Sequence, residues 1–132
     1  NHYRIDLKSD SLNVNSSAPY GLTIIDKTYA IDSICEKVYI SAEVYRETES
    51  KEAAIVMELY KNGIKTHYDN LMLNDLTDAT GKWDFTTSVL PIDSVFFNAD
   101  EFRVFLYNPS DAPIYVKSLD LSFEYDDYAR SR

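Results

Sequence analysis

Gly81-Lys82-Trp83-Asp84-Phe85-Thr86-Thr87-Ser88-Val89-Leu90-Pro91 leads, after a short gap, into Phe102-Arg103-Val104-Phe105-Leu106-Tyr107-Asn108, and then into Ile114-Tyr115-Val116-Lys117-Ser118-Leu119. Each run alternates its side chains at the period of a strand, and turn-forming residues separate them. In the first run Trp83, Phe85, Thr87 and Val89 share one face, which reads as the core face. Pro91 then stops the ladder because it lacks a donor. In the second, Phe102, Val104 and Leu106 read as inward, while Arg103, Phe105 and Tyr107 read as outward. In the third the phase switches. Ile114 and Val116 fall on one parity and Leu119, Leu121, Phe123 and Tyr125 on the other, so one extra residue near Lys117-Ser118 predicts a β-bulge.

Upstream, Glu36 to Glu47 carries the cleanest alternation in the chain, with Val38, Ile40, Ala42 and Val44 on one side and Tyr39, Ser41, Glu43 and Tyr45 on the other. Ala53 to Lys61 matches both templates: Ala53, Val56, Met57 and Tyr60 at helical spacing, Ile55, Met57 and Leu59 at strand spacing. Asn62-Gly63, a strong hairpin signal, favours the strand and predicts that Ile64 to Leu73 returns as its partner. His2 to Lys8 reads as an opening or edge strand with Tyr3, Ile5 and Leu7 inward. Tyr20 to Ile25 and Tyr29 to Ile34 read as two short strands or one bent one. Ser9 to Pro19, Asn74 to Gly81 and Ile92 to Glu101 read as loops, with Phe96-Phe97 tucked down in the last. Asp126 to Arg132 reads as a polar tail. The count of short strands between turn-rich loops predicts one all-β domain over 1–132, an antiparallel β-sandwich of jelly-roll topology.

Composition agrees. The 132 residues fit a single core, and 45% hydrophobic against 27% charged content is that of a globular chain. Eleven Tyr and six Phe raise the aromatic share to 14%, and such residues suit half-buried pleated surfaces. A net charge of −9 repels phosphate backbones and anionic headgroups, which argues against nucleic acid and acidic membranes as partners. No apolar run approaches the roughly 20 residues of a membrane span. Cys35 has no second cysteine to pair with and reads as buried. Two histidines with one thiol make no zinc cluster. The sequence opens at Asn1 rather than Met, which suggests a fragment of a longer chain with neighbouring domains. Asn15-Ser16-Ser17 matches a glycosylation sequon, a pattern short enough that chance matches are common.

A Trp-bearing strand ending in Leu-Pro, an aromatic strand ending in Tyr-Asn and a closing Tyr-Val strand resemble the C-terminal half of jelly-roll carbohydrate-binding-module-like domains, also called galactose-binding-domain-like. The resemblance is firmest over Gly81 to Tyr125. It implies a non-catalytic carbohydrate-binding or accessory domain of a secreted, cell-surface or periplasmic protein. Relatives of this kind often hold a structural calcium through a closing-strand pattern of the form Tyr-x-Asp-Asp-Leu. Here the segment reads Tyr115-Val116-Lys117-Ser118-Leu119. Lys117 and Ser118 replace the acidic pair, so no metal or other cofactor is expected, with Asp6 and Asp120 as the substitute ligands should calcium bind.

Catalysis is not expected. His2 and His67 lie in no nucleophile motif, the three glycines form no phosphate-cradling loop, and carboxylate pairs are uninformative among 22 Asp and Glu. The candidate ligand-binding residues are therefore the aromatics on outward parities, Tyr39, Tyr45, Tyr60, Phe105 and Tyr107, with Arg103 and Arg46 as polar handles. Aromatic rings against pyranose faces, with polar groups for the hydroxyls, are the chemistry of sugar recognition. The competing reading is a structural or protein-interaction sandwich, in which these rings rim a core or meet a neighbouring domain and no glycan binds.

Overall fold

The computed structural model describes residues 1–125; the tail expected over 126–132 lies outside the described residues. Among the described residues nine strands run in order: β1 (His2–Asp6), β2 (Leu12–Val14), β3 (Tyr20–Lys27), β4 (Cys35–Arg46), β5 (Ala54–Lys61), β6 (Ile64–Met72), β7 (Lys82–Pro91), β8 (Glu101–Tyr107) and β9 (Ile114–Tyr125). One short helix, α1 (Leu73–Leu76), joins β6 to β7, and another, α2 (Ser94–Asn98), precedes β8. All pairing is antiparallel. The first sheet runs β1-β9-β4-β7, with β2 also on β9; the second runs β3-β8-β5-β6. From β3 onward the chain crosses repeatedly between the sheets, giving the jelly-roll sandwich that the strand pattern predicts.

The two sheets meet over the inward rows. Val38, Ile40, Ala42 and Val44 of β4 and Leu119, Leu121 and Phe123 of β9 face Ile55, Met57 and Leu59 of β5 and Phe102, Val104 and Leu106 of β8; all are buried. Each such side chain contributes about 1.5–3 kcal/mol on leaving water. Phe96, carried in by α2, closes one end against Phe102 at 5.6 Å and Phe123 at 6.0 Å. The N-cap of that helix is Asp93, whose carboxylate accepts from the Val95 amide at 2.9 Å. Cys35 is buried and donates to the Glu124 carbonyl at 3.3 Å; burial pushes its thiol pKa up.

Local chemistry explains several features directly. Asn62 and Gly63 both take positive φ, 53° and 78°, the conformation a two-residue hairpin needs, so β5 turns back into β6. The β4–β9 register breaks between Glu43 and Val44, where Ser118 and then Val116 pair across from them and Lys117 is the extra residue. This is the predicted bulge, and it keeps Ile114 and Val116 inward together with Leu119 and Leu121.

Several sequence expectations change: Leu73–Leu76 and Ser94–Asn98, at or within segments read as loops, fold as the short helices α1 and α2. Ser9 to Pro19 is not all loop, because β2 forms within it and buries Val14 against β9. Tyr29 to Ile34 is not a strand: Thr28–Ala30 is a 3-10 turn that leaves Tyr29 exposed. The face of β7 is inverted. Paired residues point to the same side of a sheet, and Val44, Ala42 and Ile40 pair with Asp84, Thr86 and Ser88. Trp83, Phe85, Thr87 and Val89 therefore lie outside with Tyr45, Glu43, Ser41 and Tyr39. The inward polar groups are satisfied where β7 rims the core: Thr86 Oγ1 donates to the Ala42 carbonyl at 3.2 Å, and Asp84 accepts from the Thr77 hydroxyl.

Candidate functional site

The six candidate residues do not share a face. Tyr39 and Tyr45 lie on β4, in the first sheet; Tyr60 lies on β5 and Arg103, Phe105 and Tyr107 on β8, in the second. The outer surfaces of a sandwich point in opposite directions, so no single platform contains all six. Arg46 is on neither. It follows the inward parity of Val44 and is 1% exposed. Its guanidinium donates to the carbonyls of Thr77 and Ala79, at 2.5 and 3.3 Å, and to Ser50 Oγ and Asn74 Oδ1. Among the described residues no carboxylate pairs with it, and it ties the 74–81 segment to β4 instead of serving as a surface handle.

The outer face of the second sheet holds a trough. Its larger part, about 320 Å³, is lined by Tyr20, Thr23, Ile25, Glu58, Tyr60, Lys65, Arg103 and Phe105. An adjoining depression of about 220 Å³ shares Tyr20, Glu58, Lys65 and Phe105 and adds Val56, Tyr68 and Tyr107. Val56 and Phe105, which line the trough, belong to a small buried apolar cluster with Ala54. Tyr20, 61% exposed, stacks on Tyr107 at 5.3 Å and stands edge-on to Phe105 at 5.5 Å, which covers the Phe105 ring. Phe105 is thus outward in direction yet buried.

Polar groups cross the same trough. Glu58 accepts from the Tyr60 hydroxyl at 2.8 Å and meets the Lys65 ammonium at 2.6 Å. Arg103 donates from Nε to Glu101 at 2.8 Å and lays its guanidinium over the Tyr60 ring, 4.0 Å from the centroid. Partial burial, and then the bond to Glu58, raises the Tyr60 pKa; the same carboxylate raises that of Lys65. Both groups keep their protons at neutral pH. The Glu58–Lys65 and Glu101–Arg103 pairs cancel locally, so the trough is close to neutral on a chain of charge −9.

Sequence reading missed Tyr20, Glu58, Lys65 and Tyr68 as trough residues. Lys65 and Tyr68 sit in the run that Asn62-Gly63 already marked as the returning strand. Glu58 was hidden in an apolar run. On the opposite outer surface it missed Trp83, Phe85 and Tyr115. There Tyr45 lies between Trp83, at 5.7 Å, and Tyr115, at 6.2 Å, with the Lys117 ammonium 4.0 Å from the Trp83 ring.

The substitute calcium ligands are otherwise engaged. Arg4 lies between Asp6, at 3.1 Å, and Asp120, at 3.6 Å, and Asp120 also meets His2 Nε2 at 2.8 Å. A cationic side chain occupies the space between the two carboxylates. Among the described residues no group of three or more His, Cys, Asp or Glu comes together to hold a metal.

No family model matches the chain, and no curated protein matches it. Solved structures do. The VP2 subviral particle of infectious bursal disease virus superposes with a TM-score of 0.54 at 12% identity, over 95% of this chain and 32% of its own. T=1 particles derived from the same virus give 0.56 at 15% identity, over 95% and 31%. The chain therefore spans about a third of the length of those viral-particle chains, and the likeness is one of fold, a jelly-roll β-sandwich. The C-terminal CBM6 of a marine laminarinase from Zobellia galactanivorans aligns over 92% of this chain and 99% of its own, at 12% identity and a TM-score of 0.43. No helix among the described residues is long and apolar enough to cross a membrane.

Proposed function

We propose that this chain is a non-catalytic carbohydrate-binding accessory domain of a secreted or surface protein, holding a glycan in the trough on the outer face of β3-β8-β5-β6. The observation that carries this reading is the exposed Tyr20 ring, braced by Tyr107 and Phe105, above the donors and acceptors of Glu58, Tyr60, Lys65 and Arg103. An apolar ring face with polar groups beside it suits a pyranose. Near-neutral local charge favours a neutral sugar over an acidic one. The reading needs no metal, so chelation should leave the melting temperature unchanged.

Calorimetric titration against neutral polysaccharides, with acidic ones as controls, is the direct test. Affinity should be on the order of micromolar to millimolar, because an open trough covers only part of a flexible ligand. Tyr20→Ala should remove binding while the domain stays folded. Absence of binding to every glycan would favour the second reading, a structural or protein-interaction domain joined to neighbouring domains. That reading draws on Phe85 and Val89, 63% and 47% exposed on the other outer surface.

A further inference from the structure

The four sheet edges differ in how they are protected. β1 is five residues long and carries Arg4 and Asp6. β3 breaks register between Gly21 and Ile24, with Leu22 at a positive φ of 49°. The β5–β6 ladder breaks between Leu59 and Tyr60, and β6 exposes Lys65, His67 and Asp69. These are the usual devices that stop a sheet from adding strands: shortness, charge and bulges.

β7 has none of them between Phe85 and Leu90, although Lys82 and the inward Asp84 lie at one end and Pro91 at the other. It pairs with β4 through ten consecutive residues without a break, from Arg46↔Lys82 to Lys37↔Pro91. Its far side pairs with no strand among those described. Its charges are confined to Lys82 and Asp84 at one end, and its outward row of Trp83, Phe85, Thr87 and Val89 is mostly apolar and exposed. Among the described residues, no hydrogen bond from outside β4 reaches the backbone of 85–90.

We propose that β7 pairs antiparallel with β7 of a second copy of this chain, joining two first sheets into one. A strand pairing with its own copy about a two-fold axis is self-complementary by symmetry. Centred on Thr86, the pairing sets Phe85 opposite Thr87, Trp83 opposite Val89, Asp84 opposite Ser88 and Lys82 opposite Leu90. Aromatic residues then face β-branched ones, and no like charges meet. The edge is nearly neutral although each chain carries −9, so the repulsion between copies acts from elsewhere and is screened by salt. The axis stands normal to the sheet, which leaves the two troughs open on the same side of the dimer. Whether they bind glycan does not enter the test below.

Sedimentation equilibrium of the full chain, from micromolar to near-millimolar, should show a species of twice the 15.2 kDa chain mass, with association tightening as salt rises. Hydrogen exchange should show amides within 85–90 gaining protection as concentration increases. Phe85→Lys with Val89→Lys should weaken association about tenfold or more by placing charges along the edge. Tyr29→Lys, exposed beside β1 on the opposite flank of the sandwich, should leave it unchanged. A single-chain mass at the highest concentration overturns the proposal. So does a Phe85/Val89 variant that associates like wild type, or β7 amides whose exchange ignores concentration.

Discussion

The guanidinium carbon of Arg103 sits 4.0 Å above the centre of the Tyr60 ring while its Nε donates to Glu101. The two contacts fix a planar cation at the rim of the trough. Arg103→Ala should lower glycan affinity about tenfold, a loss of roughly 1–2 kcal/mol for a well-placed Arg. Stability should fall by only about 0.5–1 kcal/mol, the worth of an exposed cation–π pair. Titration calorimetry and urea denaturation separate the two effects.

Gly21 lies where β3 crosses beneath β2. A Cβ there would come within 2.6 Å of Val14 Cγ2 and 3.1 Å of Leu12 Cδ2. Gly21→Ala should therefore destabilise by about 1–3 kcal/mol through overpacking. The urea midpoint should drop with an unchanged m-value.

Arg46→Ala strips the donors from the carbonyls of Thr77 and Ala79 and from Asn74. Leaving the buried Thr77 carbonyl and the partly buried acceptors of Ala79 and Asn74 unpaired should cost roughly 2–4 kcal/mol. The 74–81 segment should become the first site cut by a protease at low dose. Arg46→Met, which fills the space without the bonds, should share the proteolytic phenotype.

Burial, and then a 2.6 Å bond to Asp26, push the Tyr3 phenol from 10.0 up to about 12. The folded state holds that proton more tightly than the unfolded state. The stabilisation is therefore complete below pH 10 and disappears as the pH rises through 12. Tyr3→Phe should flatten the fall of stability across that alkaline window, as read by urea denaturation at stepped pH.

Trp83 is the single tryptophan, half-buried beside Tyr45 and Lys117 on the outer face of the first sheet. Its emission in the folded protein should be open to a soluble quencher and should shift in Lys117→Ala. Filling the trough, on the opposite outer surface, should leave it unchanged.

The strand β4 was legible because every second residue of it is buried, so local alternation and three-dimensional burial coincide. Asn62-Gly63 was legible because the turn depends on two backbone conformations and little else. The bulge at Lys117-Ser118 announced itself as a change of phase. The facing of β7 was not legible, since its apolar row points out and its polar row is satisfied by Thr77 and the Ala42 carbonyl, partners fixed only by register. Arg46 had the parity of a core residue, but its charge pointed to the surface; only the carbonyls of a distant segment explain its burial. The site divided for a related reason. Alternation says which residues of a strand share a side, but which sheet the strand joins is settled by pairing across the chain, and that put Tyr39 and Tyr45 on the far side from Arg103 and Tyr107.

β9 lies between β1 and β4, with partners as distant in sequence as His2 and Ser122. On a ribosome, β1, β2 and β4 emerge before the strand that joins them, and the first sheet stays in separate pieces while the β5–β6 hairpin can already close. Loop-closure entropy of that size delays folding. The domain should complete its sandwich late and all at once, and a nascent chain stalled before Ile114 should hold its β4 edge open to chaperones.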